Sequence, residues 1–295
     1  MTVPVSGFTF VRNAVLLDFP LEASIRSLLP VCDEVVVNVG RSEDATLGLV
    51  RSLAHPKLRI IESTWDLSRG RRVLAEQTDI ALNACRHPWA VYIQADEVLH
   101  EAGAGRVRQA IDEHDADPRV EALVVRYRHF YGGFETELVA RSAYRREVRV
   151  VRRDPAIGIH SYGDAQGFRA GPDDRRVRAR LVDAEMFHYG WARPSSALDR
   201  KKREDEQIYA WSEAEKRSWE SRGELLPWKR GLRPFTGAHP AGAAVWIAER
   251  RAAADGRIGP RRPLRGAREL RHAALDLVER MTGARPLEFR NYTLV

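Results

Sequence analysis

Residues Trp89 to Glu101 read W-A-V-Y-I-Q-A-D-E-V-L-H-E, and their pattern decides the fold. An apolar run of strand length, Trp89 to Ile93, breaks abruptly into Gln94, Ala95, Asp96 and Glu97. The carboxylates therefore belong where a buried strand leaves its sheet, the edge at which α/β proteins place ligand chemistry. A fully apolar strand needs cover on both faces, which implies a mostly parallel sheet flanked by helices. Acid groups at such an edge commonly hold a divalent cation that in turn holds phosphates. The plainer alternative is that Asp96 caps the helix that follows and Glu97 is solvated.

Upstream of this stretch, strand and helix patterns alternate. Val5 to Val11 is β-branched and aromatic and ends at Arg12 and Asn13. Asp18, Pro20 and Glu22 mark a helix start, with Leu21, Ile25, Leu28 and Leu29 as its apolar stripe. A second strand, Glu34 to Val37, ends at Asn38, and a polar turn leads to a helix containing Leu47, Leu49, Val50 and Leu53. The third strand, Leu58 to Ile61, ends in Glu62 to Asp66, and a helix over Arg71 to Ala84 precedes Trp89. Four repeats of this kind imply right-handed crossovers and a parallel sheet, with Arg12, Asn38, residues 63–66 and Asp96 along one rim. Polar strand ends gathered on one rim form a binding cleft.

Past Glu101 the regularity changes. A helix at Ala104 to His114 leads to a strand at Val120 to Phe130 and a glycine-hinged loop, Y-G-G-F, at 131–134. Alternation in E-V-R-V-V-R (147–152) and V-R-A-R-L-V (177–182) predicts half-exposed, antiparallel strands, with a polar loop at 159–169 between them. Ser195 to Arg222 reads as one charged helix, Gly237 to Ala254 and Arg265 to Met281 as further helices, and Leu287 to Val295 as a final strand. The expected organisation is a domain over 1–194, with a nucleotide-binding half at 1–101 and an acceptor-side half at 102–194. A mainly helical extension packs on it over 195–295.

With 44% hydrophobic and 30% charged residues, the 295-residue chain has an ordinary globular composition and no apolar run of membrane-span length. The start lacks a signal-peptide pattern, which points to a cytoplasmic protein. Cys32 and Cys85 are too few for a disulfide framework and are read as reduced and structural. A net charge of +7 suggests an anionic partner, yet the excess arginines gather on no groove-reading helix, so no nucleic acid is expected. The positive helices from Ser195 to Arg271 suit either a solvated face or peripheral contact with the inner face of an anionic membrane.

Three pieces in order resemble the family-two glycosyltransferases, nucleotide-sugar enzymes of the Rossmann-like GT-A fold. N-V-G-R-S-E-D-A-T, Asn38 to Thr46, is similar to that family's D-D-G-S-x-D-x-T with one extra residue. Gln94-Ala95-Asp96 sits where the family carries D-x-D, and Arg69 to Arg72 resembles its glycine-and-arginine segment. F-H-Y-G-W-A-R, from Phe187, and H-P-A, from His239, look like the downstream part of bacterial members. The resemblance implies an α/β fold with a mixed sheet, mainly parallel with antiparallel additions, flanked by helices. It also implies an inverting transfer from a UDP, GDP or dTDP sugar to a carbohydrate or lipid-linked glycan acceptor, with Mn2+ or Mg2+ as cofactor.

The same resemblance nominates residues. Asp96 and His188 are the metal candidates; Arg12, Asn38, Ser42, Asp44, Arg72, Gln94, Arg193 and Lys201 are the nucleotide-binding ones. Asp164, following Gly163 in a polar loop, is the candidate general base, with Glu135 and then Glu137 in reserve; Trp191, Tyr131 and Tyr162 are candidates for stacking on an acceptor sugar. The departures are Asn38 where the family commonly has an acid, and Gln94 for the first acid of D-x-D. A dehydrogenase is excluded because the first turn reads R-N-A-V-L-L-D rather than G-x-G-x-x-G. A P-loop, a G-x-S-x-G elbow and a zinc motif are missing, and so is the glycine-rich basic loop of a nucleotidyltransferase. A non-catalytic nucleotide-sugar or polyanion binder is the alternative from another class.

Overall fold

In the computed structural model, residues 2–141, 143–209, 211–221, 225–254, 256–263 and 266–295 are described. The first part alternates as its periodicity demands: β1 (Val5–Val11), α1 (Leu21–Leu28), β2 (Glu34–Gly40), α2 (Thr46–Ser52), β3 (Leu58–Ser63), α3 (Arg72–Ala84) and β4 (Trp89–Tyr92). β1 pairs in parallel with both β2 and β4, and β2 in parallel with β3. Because side chains alternate along a strand, Val35 and Val37 point into the layer that holds Leu21, Ile25 and Leu28 of α1. Val36 and Phe8 point into the opposite layer with Ala81 and Leu82 of α3. Each such aliphatic or aromatic side chain contributes about 1.5–3 kcal/mol when fully buried.

The second part completes the sheet: β5 (Glu97–Leu99), α4 (Glu101–His114), β6 (Ala122–Tyr131), β7 (Thr136–Leu138), β8 (Arg146–Arg152), β9 (Ile159–Tyr162), β10 (Gly167–Ala170) and β11 (Arg175–Trp191). The strand order is β3-β2-β1-β4-β8-β6-β11-β10-β9, with β8 antiparallel to β4 and β6 and β11 parallel to β6. The remainder comprises α5 (Ser195–Ile208), α6 (Glu213–Glu220), β12 (Leu232–Pro234), α7 (Ala244–Ala254), α8 (Gly266–Thr282) and β13 (Tyr292–Leu294), which pairs in parallel with β11. This is the mixed α/β sheet, mainly parallel at one end with antiparallel additions and flanked by helices, that the sequence predicted.

Several local expectations change. Residues 147–152 are not half-exposed: β8 lies inside the sheet between β4 and β6, and the alternating charge at Arg149 is fully buried against Glu97. Glu97 is accordingly buried rather than solvated, and α4 is capped by the His100 side chain rather than by Asp96. The polar stretch 159–169 is a hairpin, β9 to β10, rather than a loop. The single helix over 195–222 is two, since α5 ends at Ile208 and Ser212 starts α6 with a capping box. The expected boundaries at Arg222 and Arg265 lie outside the described residues.

Candidate active site

β1 and β4 end side by side, so the residues following them face one cleft of about 240 Å³. Arg12 comes from the end of β1, Gln94 and Asp96 from the end of β4, and Trp65 from the segment after β3. Asp164 and Gln166 arrive on the β9–β10 turn, and Tyr144 precedes β8. Lys201, Glu204, Asp205 and Ile208 of α5, with Tyr209 beyond it, form the remaining wall. The site therefore gathers residues from Phe10 to Tyr209, nearly two hundred positions apart in the chain.

Asp96 is the electrostatic centre. It is 7% exposed, and its backbone carbonyl accepts from Tyr189 N at 2.9 Å, which fixes the strand exit against β11. Its Oδ2 lies 3.6 Å from Lys201 Nζ and 3.7 Å from His188 Nε2. Burial would push this carboxyl up, but His188, Lys201 and buried Arg193 together hold it well below the usual carboxylate range. Gly190 makes the approach possible: a Cβ there would stand 2.5 Å from the His188 ring and 3.2 Å from Asp96 Oδ2.

A chain of hydrogen bonds orients His188. His129 Nε2 lies 2.7 Å from the Tyr144 carbonyl, which only accepts, so Nε2 carries the proton. Burial, then the neighbouring His188, pulls the His129 pKa down to about 3, so the ring is neutral and its Nδ1 is an acceptor. The His188 Nδ1 atom, 3.0 Å away, is then the donor. With Nδ1 donating to His129, it is His188 Nε2 that faces Asp96: protonated, it supplies the charge that lowers the Asp96 carboxyl; unprotonated, it presents a lone pair. A carboxylate oxygen and an imidazole lone pair 3.7 Å apart suit a shared divalent cation, with the second ring nitrogen tied down as at metal-binding histidines. No cluster of three His, Cys, Asp or Glu side chains that could hold a metal is found among the described residues.

The turn that carries Asp164 is strained. Gly163 has φ +67° and the buried, non-glycine Ala165 has φ +63°, a conformation costing about 1–3 kcal/mol that commonly persists where it positions function. Asp164 Oδ2 accepts from Tyr209 OH at 3.4 Å, and Gln94 Nε2 donates to the Ala165 carbonyl at 3.2 Å, joining the turn to the exit of β4.

Other nominated residues lie elsewhere. Asn38 is fully buried and donates to the backbone and side-chain oxygens of Gln77, holding β2 to α3 rather than reaching the cleft. Ser42 accepts from Asn13 N at 3.0 Å, and Asp44 accepts from Leu16 N at 2.6 Å and Thr46 N at 2.9 Å; both knit loops beneath the rim. Arg193 donates to the Leu17 and Gly190 carbonyls and stacks on Phe19, acting behind Asp96 through charge and packing. Arg72 is exposed at the start of α3, outside the cleft lining. Glu135 is 54% exposed and paired with Arg251, and Glu137 is buried against Arg233; neither lines the cleft. Nor do Trp191, Tyr131 or Tyr162.

The α5 residues Glu204 and Asp205, with Tyr209, Tyr144 and Gln166, were not anticipated. Glu204 pairs with Arg12 at 2.6 Å across the cleft mouth. Lys201, which was nominated, was the available signal, since residues one turn further along its helix share its face.

No family model matches the chain, and no curated protein does. Among solved structures it is similar to S. aureus TarS, at 15% identity and a TM-score of 0.44, over 73% of this chain and 42% of that one. This chain thus spans less than half the length of TarS. TarS 1–349 in complex with UDP-GlcNAc is similar at 15% identity and a TM-score of 0.42, over 73% and 70% of the two chains. The mannosyltransferase PcManGT from Pyrobaculum calidifontis, in complex with GDP-Man and Mn2+, is similar at 26% identity and a TM-score of 0.34, over 42% and 35%.

Proposed function

We propose that the chain is a glycosyltransferase that moves a sugar, with inversion, from a nucleotide-diphosphate donor to a hydroxyl acceptor. The observation that carries this reading is buried Asp96 at the exit of β4, flanked by Lys201 and His188 in a cleft that also holds Arg12, Gln94 and Asp164. Aromatic Phe10 and Trp65, whose ring centroids are 5.7 Å apart and whose planes are tilted by 50°, line the cleft with ring faces on which a nucleobase can stack. Arg12 and Lys201 supply positive charge for the diphosphate, the first as a fork and the second as a point charge.

Asp96 and His188 would hold a divalent cation, and the imidazole nitrogen suits Mn2+ better than Mg2+, which prefers oxygen ligands. When bound, such an ion neutralises charge on the departing diphosphate. The chain's own residues do the rest. Asp164, held by its strained turn, takes the proton of the acceptor hydroxyl as it attacks the anomeric carbon. Tyr209 orients that carboxylate, and α5 keeps water from the cleft.

Asp164→Asn keeps the shape of the turn and removes the base. Sugar transfer should fall about 100- to 10,000-fold while nucleoside diphosphate binding, read by calorimetry, stays within about twofold. Transfer at the wild-type rate would remove Asp164 from the mechanism.

A further inference from the structure

A second cavity, of about 410 Å³, meets the first at Tyr144, which lines both. Its wall is arginine-rich: Arg126 and Arg128 of β6, Arg145 and Arg146 at the start of β8, and Arg233 of β12, against the carboxylates of Glu137 and Glu185. Those two acids are already engaged. Arg128 forks onto Glu185 at 2.9 and 3.0 Å, and Arg233 onto Glu137 at 2.9 and 3.0 Å. Arg145 turns to Glu279 at 2.7 Å, and Arg126 to Asp183. Arg146 has no carboxylate partner among the described residues.

The strand register sharpens this imbalance. Arg126 and Arg146 are directly opposite one another across the antiparallel β6–β8 pair. Asp183 and Glu185 offset the charge of Arg126, so the facing pair leaves Arg146 as the arginine whose charge no carboxylate meets among the described residues. The cavity also reaches His129, whose ring meets His188, which in turn faces Asp96. Tyr144 lines both cavities, and the His129–His188 pair links the wall of the second to Asp96 in the first.

We propose that this cavity binds an anionic substituent, a phosphate or a carboxylate, carried by the acceptor. The assignment rests on the glycosyltransferase reading for the word acceptor, while the anion site itself rests on the arginines. It places the acceptor's charged group on the β6–β8 side and its reacting hydroxyl toward Asp164, with Tyr144 between them.

The test is calorimetric titration, at low ionic strength, of mannose 6-phosphate, glucuronic acid, mannose and inorganic phosphate. The proteins are wild type, Arg126→Gln and the double variant Arg126→Gln/Arg146→Gln. The charged sugars should bind wild type and mannose should not, and whichever charged sugar binds more tightly identifies the group. The double variant should bind about tenfold or more weakly, the single variant less so. Removing the facing charges should leave the unliganded melting temperature unchanged or higher, so a folding defect would show itself. Equal binding of mannose and the charged sugars, or an unaltered double variant, would overturn the proposal. Inorganic phosphate binding as tightly as the phosphosugar would overturn the acceptor assignment. Nucleoside diphosphate binding to the same proteins is read separately: its failure alongside retained charged-sugar binding would sink the glycosyltransferase reading and leave the anion site standing.

Discussion

Replacing Glu97 with glutamine should cost more stability than any surface substitution, because both partners of its ion pair are 0% exposed. Its Oε1 accepts from Tyr127 OH at 2.8 Å and Arg149 Nη2 at 2.9 Å; its Oε2 accepts from Gln94 N at 3.0 Å and Arg149 Nε at 3.1 Å. Each carboxylate oxygen thus meets two donors, and whichever way a glutamine amide is turned, its NH2 faces donors. The guanidinium, stacked between Tyr92 and Tyr127 with its carbon 5.1 and 5.0 Å from the ring centroids, is left as a buried charge without a counter-ion. Breaking such a pair costs about 3–5 kcal/mol, equivalent to about 5–8 °C in Tm for a chain of this size. Thermal and urea unfolding would be compared with Glu22→Gln, whose partner Arg26 is on the helix surface and whose loss should cost less than about 0.5 kcal/mol. Because Glu97 also anchors the Gln94 backbone, the variant should lose cleft geometry along with stability. A Glu97→Gln protein as stable as the Glu22→Gln control would refute the reasoning.

Two further outcomes follow from single positions. A Cβ at Gly40 would stand 2.3 Å from Trp65 Nε1, so Gly40→Ala should displace the aromatic wall and weaken nucleoside diphosphate binding about tenfold or more in calorimetry, with unaltered affinity counting against a stacking role. Burial pushes Asp79 up to about 6 while it accepts from Ser161 N at 2.6 Å; an acid raised in the folded state loses stability as pH climbs from about 4 through 6. Asp79→Asn should therefore be more stable than wild type by about 1–2 kcal/mol at pH 8, after discounting for partial exposure, and equal to it at pH 4, as measured by urea unfolding.

The first half of the fold was legible because β1, β2 and β4 are buried on both faces and the helices between them on one, and those two periods differ plainly in sequence. β8 misled because E-V-R-V-V-R has the pattern of an exposed strand. Arginine is hidden there only because Glu97, fifty-two residues earlier, supplies its counter-charge. Glu97, apparently one polar residue too many after an apolar strand, was the available hint. At the rim, Arg12, Gln94, Asp96, Lys201 and Asp164 do face one cleft, whereas Asn38, Ser42 and Asp44 turn inward. A polar side chain after a strand can serve a ligand or tie down its own loop, and local sequence does not separate the two. Only the packing of α3 against β2, which supplies Gln77 to Asn38, decides that case.

The most direct measurement is thermal stabilisation by a panel of nucleoside diphosphates, with and without Mn2+, for wild type and Asp96→Ala. At about 100 times its dissociation constant a bound diphosphate stabilises by about 2.7 kcal/mol. One diphosphate should raise the wild-type melting temperature, more so with Mn2+, and leave Asp96→Ala unmoved. Stabilisation of both proteins alike, or of neither by any diphosphate, would contradict it.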